Sequence, residues 1–266
     1  MRMREPKFAE NRPARYREVA LKALARLSGG DRDAATLHRA RTHLRRLQAY
    51  LELVGEDRHA ASIAHCVTRM SKLRTLQVLA GYLKTHSAPR SDRKAVKRRL
   101  RATREQLARG CVYTAIDRIV RRCTLPSVPT NPAWLAERMQ AARDSHADVL
   151  RRLTAGVGTK AGRKTLHRLR LLIKSIRYQE EWALGRPFAK PGLIRRLKRM
   201  QMVLGSYEDL VQFRKSARSM GLHASPAINK AWRKARTRAR ALPATLCAGT
   251  GTLAGSRFRS AGAQAG

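Results

Sequence analysis

Acidic side chains are scarce in this chain of 266 residues: 18 Asp and Glu stand against 58 Lys and Arg, for a formal charge of +40. Metal-assisted phosphoryl transfer uses carboxylates to hold the ions that bridge the transferring group, and so thin a supply, with no acidic cluster, offers no such site. Aromatic residues make up 5% of the chain, too few for the stacking platforms that hold single-stranded nucleic acid. The four cysteines, Cys66, Cys111, Cys123 and Cys247, fall in no zinc-ligand or CxxC spacing and read as reduced thiols. No run of about 18 apolar residues is present, and Met1 to Arg15 lacks the apolar stretch of a secretion signal. A cytoplasmic protein with no membrane partner is expected. The patterns GxxxxGKS/T and HExxH are missing, as is any helix-turn-helix or zinc-finger signature. The chain therefore reads as a binding protein, neither an enzyme nor the holder of a cofactor.

What is present is a folded, cationic protein. The 43% hydrophobic content supports a core, and Lys and Arg alternate with leucines instead of gathering in apolar-poor tails. A charge this large repels itself in a compact fold unless anions neutralise it, so the expected partner is a polyanion.

One segment occurs twice. Thr36-Leu37-His38-Arg39-Ala40-Arg41 returns 129 residues later as Thr165-Leu166-His167-Arg168-Leu169-Arg170. Plotted at about 100° per residue, His38, Arg41, Arg45, Gln48 and Glu52 share an arc of about 80°, and His167, Arg170, Lys174, Arg177 and Glu181 repeat it. Beside each lies an apolar arc: Leu37, Ala40, Leu44, Leu47 and Leu51 in the first copy, Leu166, Leu169, Ile173 and Ile176 in the second. Each helix thus packs on one stripe and carries a cationic comb next to its core. An ordinary solvated face mixes both signs, whereas here the acids come only at the last position of each comb. Arginine suits phosphate oxygens because its guanidinium donates two parallel hydrogen bonds. Histidine among phosphates is drawn toward its cationic form. Tyr178 and Trp182 read as packing residues.

Helical periodicity and its punctuation divide the chain. Ala14 to Leu27 forms a helix stopped by Gly29-Gly30, and Asp31 or Asp33 caps the comb helix, which ends at Gly55. Arg58 to Lys84 follows, with a break near Ser71. Asp92 to Arg122 reads as one long basic helix. Pro126, Pro129 and Pro132 mark a linker. Beyond it come a helix over Ala133 to Leu153, a glycine turn, the second comb over Lys164 to Leu184, two helices from Leu193 to Met220 joined near Gly205, and a basic helix over Ala227 to Leu242. With no strand pattern, the fold class is all-α: tandem antiparallel helical bundles related by pseudo-symmetry. The halves run over 1–123 and 133–242, with a linker at 124–132 and a loose tail at 243–266.

These segments resemble the CHAD domains, the conserved histidine α-helical domains. The likeness rests on His38-Arg39-Ala40-Arg41 and His167-Arg168-Leu169-Arg170, on Leu44-Arg45-Arg46-Leu47 and Ile173-Lys174-Ser175-Ile176-Arg177-Tyr178, and on Leu197-Lys198-Arg199-Met200-Gln201-Met202-Val203-Leu204-Gly205 with Asp209. It implies two pseudo-symmetric four-helix bundles around a basic cleft or pore, binding of inorganic polyphosphate, and localisation to polyphosphate granules. The binding residues it implies are His38, Arg41, Arg45, Arg74, His167, Arg170, Lys174, Arg177 and Lys198. The first half departs from the family pattern at Gln48, where a basic residue is usual, and in the helix after its comb, which retains Arg74 but replaces both aspartates. The alternative reading is non-specific binding to the backbone of DNA or RNA, which the same electrostatics favour.

Overall fold

The computed structural model of the chain describes residues 12–85, 88–126, 131–155, 161–222 and 226–247, and among them it has ten helices and no strand. The all-α expectation holds. In chain order the helices are α1 (Arg12–Ser28), α2 (Ala34–Val54), α3 (Asp57–Arg69), α4 (Ser71–Thr85), α5 (Arg90–Arg109), α6 (Val112–Arg122), α7 (Pro132–Thr154), α8 (Arg163–Ala183), α9 (Pro191–Ser219) and α10 (Pro226–Cys247).

The comb helix α2 has firm ends. Asp33 is its N-cap and accepts from the Ala35 amide at 3.0 Å, while Asp31 accepts from the Asp33 amide and the Thr36 hydroxyl. These bonds satisfy donors that a helix start leaves open. Gly55 closes the helix at φ 85, a left-handed conformation that favours glycine. Between the ends, Leu37, Leu44, Leu47 and Leu51 are fully buried, each contributing about 1.5 to 3 kcal/mol of burial free energy.

Three apolar cores result. The first gathers α1, α2, α3, α6 and the start of α7, and takes in Trp182 and Phe188 from beyond the second comb. The second holds the end of α7 with α8, α9 and Ala239 of α10. The third joins α4 and Val96 of α5 to Leu210, Phe213 and Ala217 of α9 and Ile228 of α10. The first and third therefore draw on residues from both sides of the proline segment. A buried ion pair, Arg143 with Glu180 at 2.7 and 2.9 Å, fastens α7 to α8, and Arg143 also donates to the Phe188 carbonyl.

Several expected boundaries are corrected. Asp92 to Arg122 is two helices, α5 and α6, separated at Gly110 and Cys111, the latter at φ 47; α5 packs on α4 whereas α6 packs on α1, and one straight rod could not serve both. Conversely, α9 runs unbroken through Gly205. A mid-helix glycine costs about 1 kcal/mol relative to alanine, and the apolar residues of α9 on either side of Gly205 enter two cores. Helix α10 continues past Pro243 to Cys247, with Pro243 buried, so the tail begins later than its composition implies. The rest of the tail, residues 127–130 of the linker and residues 156–160 of the glycine turn lie outside the described residues.

Candidate functional site: a recessed basic cleft

The two comb helices pack against each other. Arg46 meets Glu181 at 3.3 Å, Gln179 donates to the Ala49 carbonyl at 3.3 Å, and Ser175 donates to Glu52 at 3.0 Å. As numbers rise along α2 they fall along α8, so the helices run antiparallel. The contacts are also reciprocal: Ser175 holds in the second copy the place that Arg46 holds in the first, and Glu181 the place of Glu52.

Against this pair lie α4 and α9, and the four helices surround a cavity of about 820 Å³. Helix α2 lines it with His38, Arg41 and Arg45, α4 with Arg74, and α8 with His167, Arg170, Lys174 and Arg177. Every expected site residue but Lys198 is thus brought to one space. Lys198 is the exception. It is an exposed residue of α9 whose ammonium lies 3.7 Å from Glu181, outside the cavity lining, because Leu197 and Met200 beside it turn inward to the second core.

The cations are crowded and only partly hydrated. Burial first, then Arg170, Arg45 and Arg41, push the Lys174 ammonium down to about 7, with Asp209 opposing. Arg41 is pushed down to about 10 by burial and by Arg45, Arg74 and Arg170. Burial also lowers Arg45. Desolvation and like charges act in the same direction here, both disfavouring the charged form. Arg41 has a second engagement: its Nη1 donates to the Val67 carbonyl at 2.5 Å and to the Ser71 hydroxyl at 3.2 Å, capping the end of α3, where a cation suits the helix dipole. Arg177 donates to Glu181 at 2.9 Å and lies 4.4 Å from the centre of the Tyr178 ring. The Nε atoms of Arg170 and Arg177 have no hydrogen-bond partner among the described residues.

Two carboxylates enter the lining, both from α9: Glu208 and Asp209. Burial raises Asp209 above the usual carboxylate range even though Arg170, Arg74 and Lys174 oppose the shift. Glu208 lies 3.4 Å from His167 and accepts from Gln212 at 2.7 Å. Glu208 and the cavity-lining Arg46 were missed in the sequence reading. Arg46 lies about 80° outside the comb arc, on the side away from the leucines, so its phase gave no signal, and the pairing of Glu208 with His167 spans two helices and leaves no short-range signal. Tyr178 and Trp182 are buried as expected; Trp182 packs on Tyr50 with ring centres 5.6 Å apart. No group of His, Cys, Asp and Glu among the described residues could hold a metal, and no described helix is long and apolar enough to cross a membrane.

A family model for the CHAD domain matches residues 15–218. The chain belongs to the CHAD domain family. A crystal structure of the CHAD domain from the plant Ricinus communis shares the fold, with a TM-score of 0.62 at 18% identity over 97% of this chain and 95% of that one. No curated protein matches the chain in sequence. The match of the CHAD family model takes in both combs, α4 and nearly all of α9, so the whole wall of the cleft falls inside the family region.

Proposed function

We propose that this CHAD domain binds inorganic polyphosphate in the cleft between α2, α4, α8 and α9, without catalysing a reaction, and associates with polyphosphate granules through that binding. The observation that carries the reading is the convergence of His38, Arg41, Arg45, Arg74, His167, Arg170, Lys174 and Arg177 on one partly buried cavity. Held this close, the cations repel one another. An anion placed among them reverses the sign of that interaction and supplies acceptors for Arg46, Arg170 and Arg177, cleft arginines whose Nε donors are unmet. Polyphosphate has neither bases nor sugars, so charge and hydrogen bonds are all that its recognition requires. It is also slender enough to enter a recess. A double helix is not, and it would touch only the outer arginines, such as those of α5. This disfavours duplex nucleic acid as the ligand of the cleft.

The test is a titration with polyphosphates of several lengths at two salt concentrations, with duplex DNA as competitor. Binding should weaken steeply with salt, since association releases counterions condensed on the polymer, and excess DNA should leave polyphosphate bound. Displacement by DNA at comparable phosphate concentration would favour the nucleic-acid reading. Release of phosphate in the presence of magnesium or manganese would overturn the non-enzymatic one.

A further inference from the structure

A second cavity, of about 490 Å³, continues from the cleft and shares Arg45, Thr68, Leu171, Lys174 and Tyr178 with it. Past Arg45 and Lys174 its character changes. No further Arg or Lys lines it; the walls are Gln48, Glu52, His146 and Ser175 among Ala49, Ala64 and Leu172. Glu52 is fixed in place, one oxygen accepting from Gln48 at 2.8 Å and the other from Ser175 at 3.0 Å. Each of those oxygens keeps a lone pair for another donor. Burial lowers His146 from its ordinary value, against a hydrogen bond to the Ala142 backbone, so near neutral pH its ring N–H is already engaged and it brings an acceptor, not a charge. A phosphate chain extended into this space would leave its cations behind and meet a carboxylate.

We propose that this cavity seats an uncharged organic head group joined to the phosphate chain, so that the cleft takes nucleoside polyphosphates in preference to bare chains of equal phosphate number. The inference rests on the polyphosphate reading of the cleft. A nucleoside fits the walls chemically: ribose hydroxyls donate to Glu52, and an uncharged base lies against the aliphatic side chains. The volume lies within the range of about 300 to 1,000 Å³ that small-molecule pockets occupy. In this arrangement Arg45 and Lys174 hold the phosphates nearest the head group, and the remaining comb residues hold the rest of the chain.

The experiment compares adenosine 5′-tetraphosphate with inorganic tetraphosphate by calorimetry at one pH and salt concentration. The nucleoside ligand should bind tighter by about tenfold, as one or two added hydrogen bonds would give. Ala64→Phe, which fills the cavity from α3, should abolish that difference and leave inorganic tetraphosphate unchanged. Glu52→Gln should weaken the nucleoside ligand and tighten the inorganic one, because it removes an anion beside the chain. Equal affinities in the native protein, or equal weakening of both ligands by Ala64→Phe, would overturn the head-group site and leave the polyphosphate reading standing. Binding of neither ligand would overturn both.

Discussion

The two histidines that begin the combs occupy matched positions and face opposite charges. His167 of the second comb lies against Glu208, while His38 of the first is held below its usual range by burial and by Arg74, Lys174 and Arg41. One histidine is set beside an anion and the other among cations. The cationic combs are thus alike in the two copies, and the divergence lies in the helices that wall them. Only the α9 side retains carboxylates. The α4 side presents Arg74 and no carboxylate, so a polyanion laid in the cleft meets cations without carboxylates on the first-half wall and a mixed wall opposite.

The largest test asks whether the combs are a site at all or just part of the field. Arg170→Ala with Lys174→Ala should weaken polyphosphate binding by about a hundredfold or more, since each charge-assisted hydrogen bond contributes about 1.5 to 3 kcal/mol. Arg99→Ala with Arg101→Ala likewise removes two basic side chains, from the exposed face of α5, and should cost less than about tenfold. Both variants would first be shown to be helical by circular dichroism; equal losses would reduce the combs to packing features.

Next in size is a swap of the distinguishing charge. Arg74→Glu gives the first half the carboxylate that the second half carries, and should weaken polyphosphate binding by about ten- to a hundredfold. Glu208→Gln should strengthen it by a few-fold. If affinity is indifferent to both, the difference between the walls has no bearing on the ligand.

A pH effect follows from Lys174, whose ammonium is pushed down to about 7 in the free protein. A bound polyanion favours the protonated form, so binding takes up a proton. Affinity should therefore fall as pH rises through about 7, by up to about tenfold per pH unit for one linked proton. Lys174→Arg keeps the charge at all these pH values and should flatten the slope. A calorimetric titration in buffers of different ionisation enthalpy reads the proton directly, and no uptake would contradict the linkage.

The smallest effect is on His38 itself. By NMR its ring should titrate below 6.5, and Arg74→Gln should move it part of the way back. The associated stability has a definite sign: it is present above pH 6.5 and lost as pH falls through the lowered value.

The combs were legible because a 3.6-residue period sorts His38, Arg41 and Arg45, and likewise His167, Arg170 and Lys174, beside leucines that had to be buried. Helix ends with strong local chemistry, Asp33 and Gly55, were legible too. What escaped was decided by tertiary contact. Gly205 reads locally as a joint but is held in a continuous helix by packing on either side of it, while the weak signal of Gly110-Cys111 became a true break because α5 and α6 serve different neighbours. Lys198 came in through resemblance, not phase, and its neighbours' burial turns it away from the cleft.

The unbroken α9 has a consequence for how the molecule opens. Its 29 residues make a rod about 43 Å long at 1.5 Å per residue. One set of its residues, Leu197, Met200, Leu204, Tyr207 and Val211, is sunk in the second core, and another, Leu210, Phe213 and Ala217, in the third. Glu208 and Asp209 sit where the two sets meet, between Tyr207 of the second core and Leu210 of the third. The cleft wall therefore cannot fray by itself: releasing it means pulling one end of the rod out of a core. Backbone amides from Leu197 to Phe213 should exchange with deuterium together and slowly, as one cooperative unit.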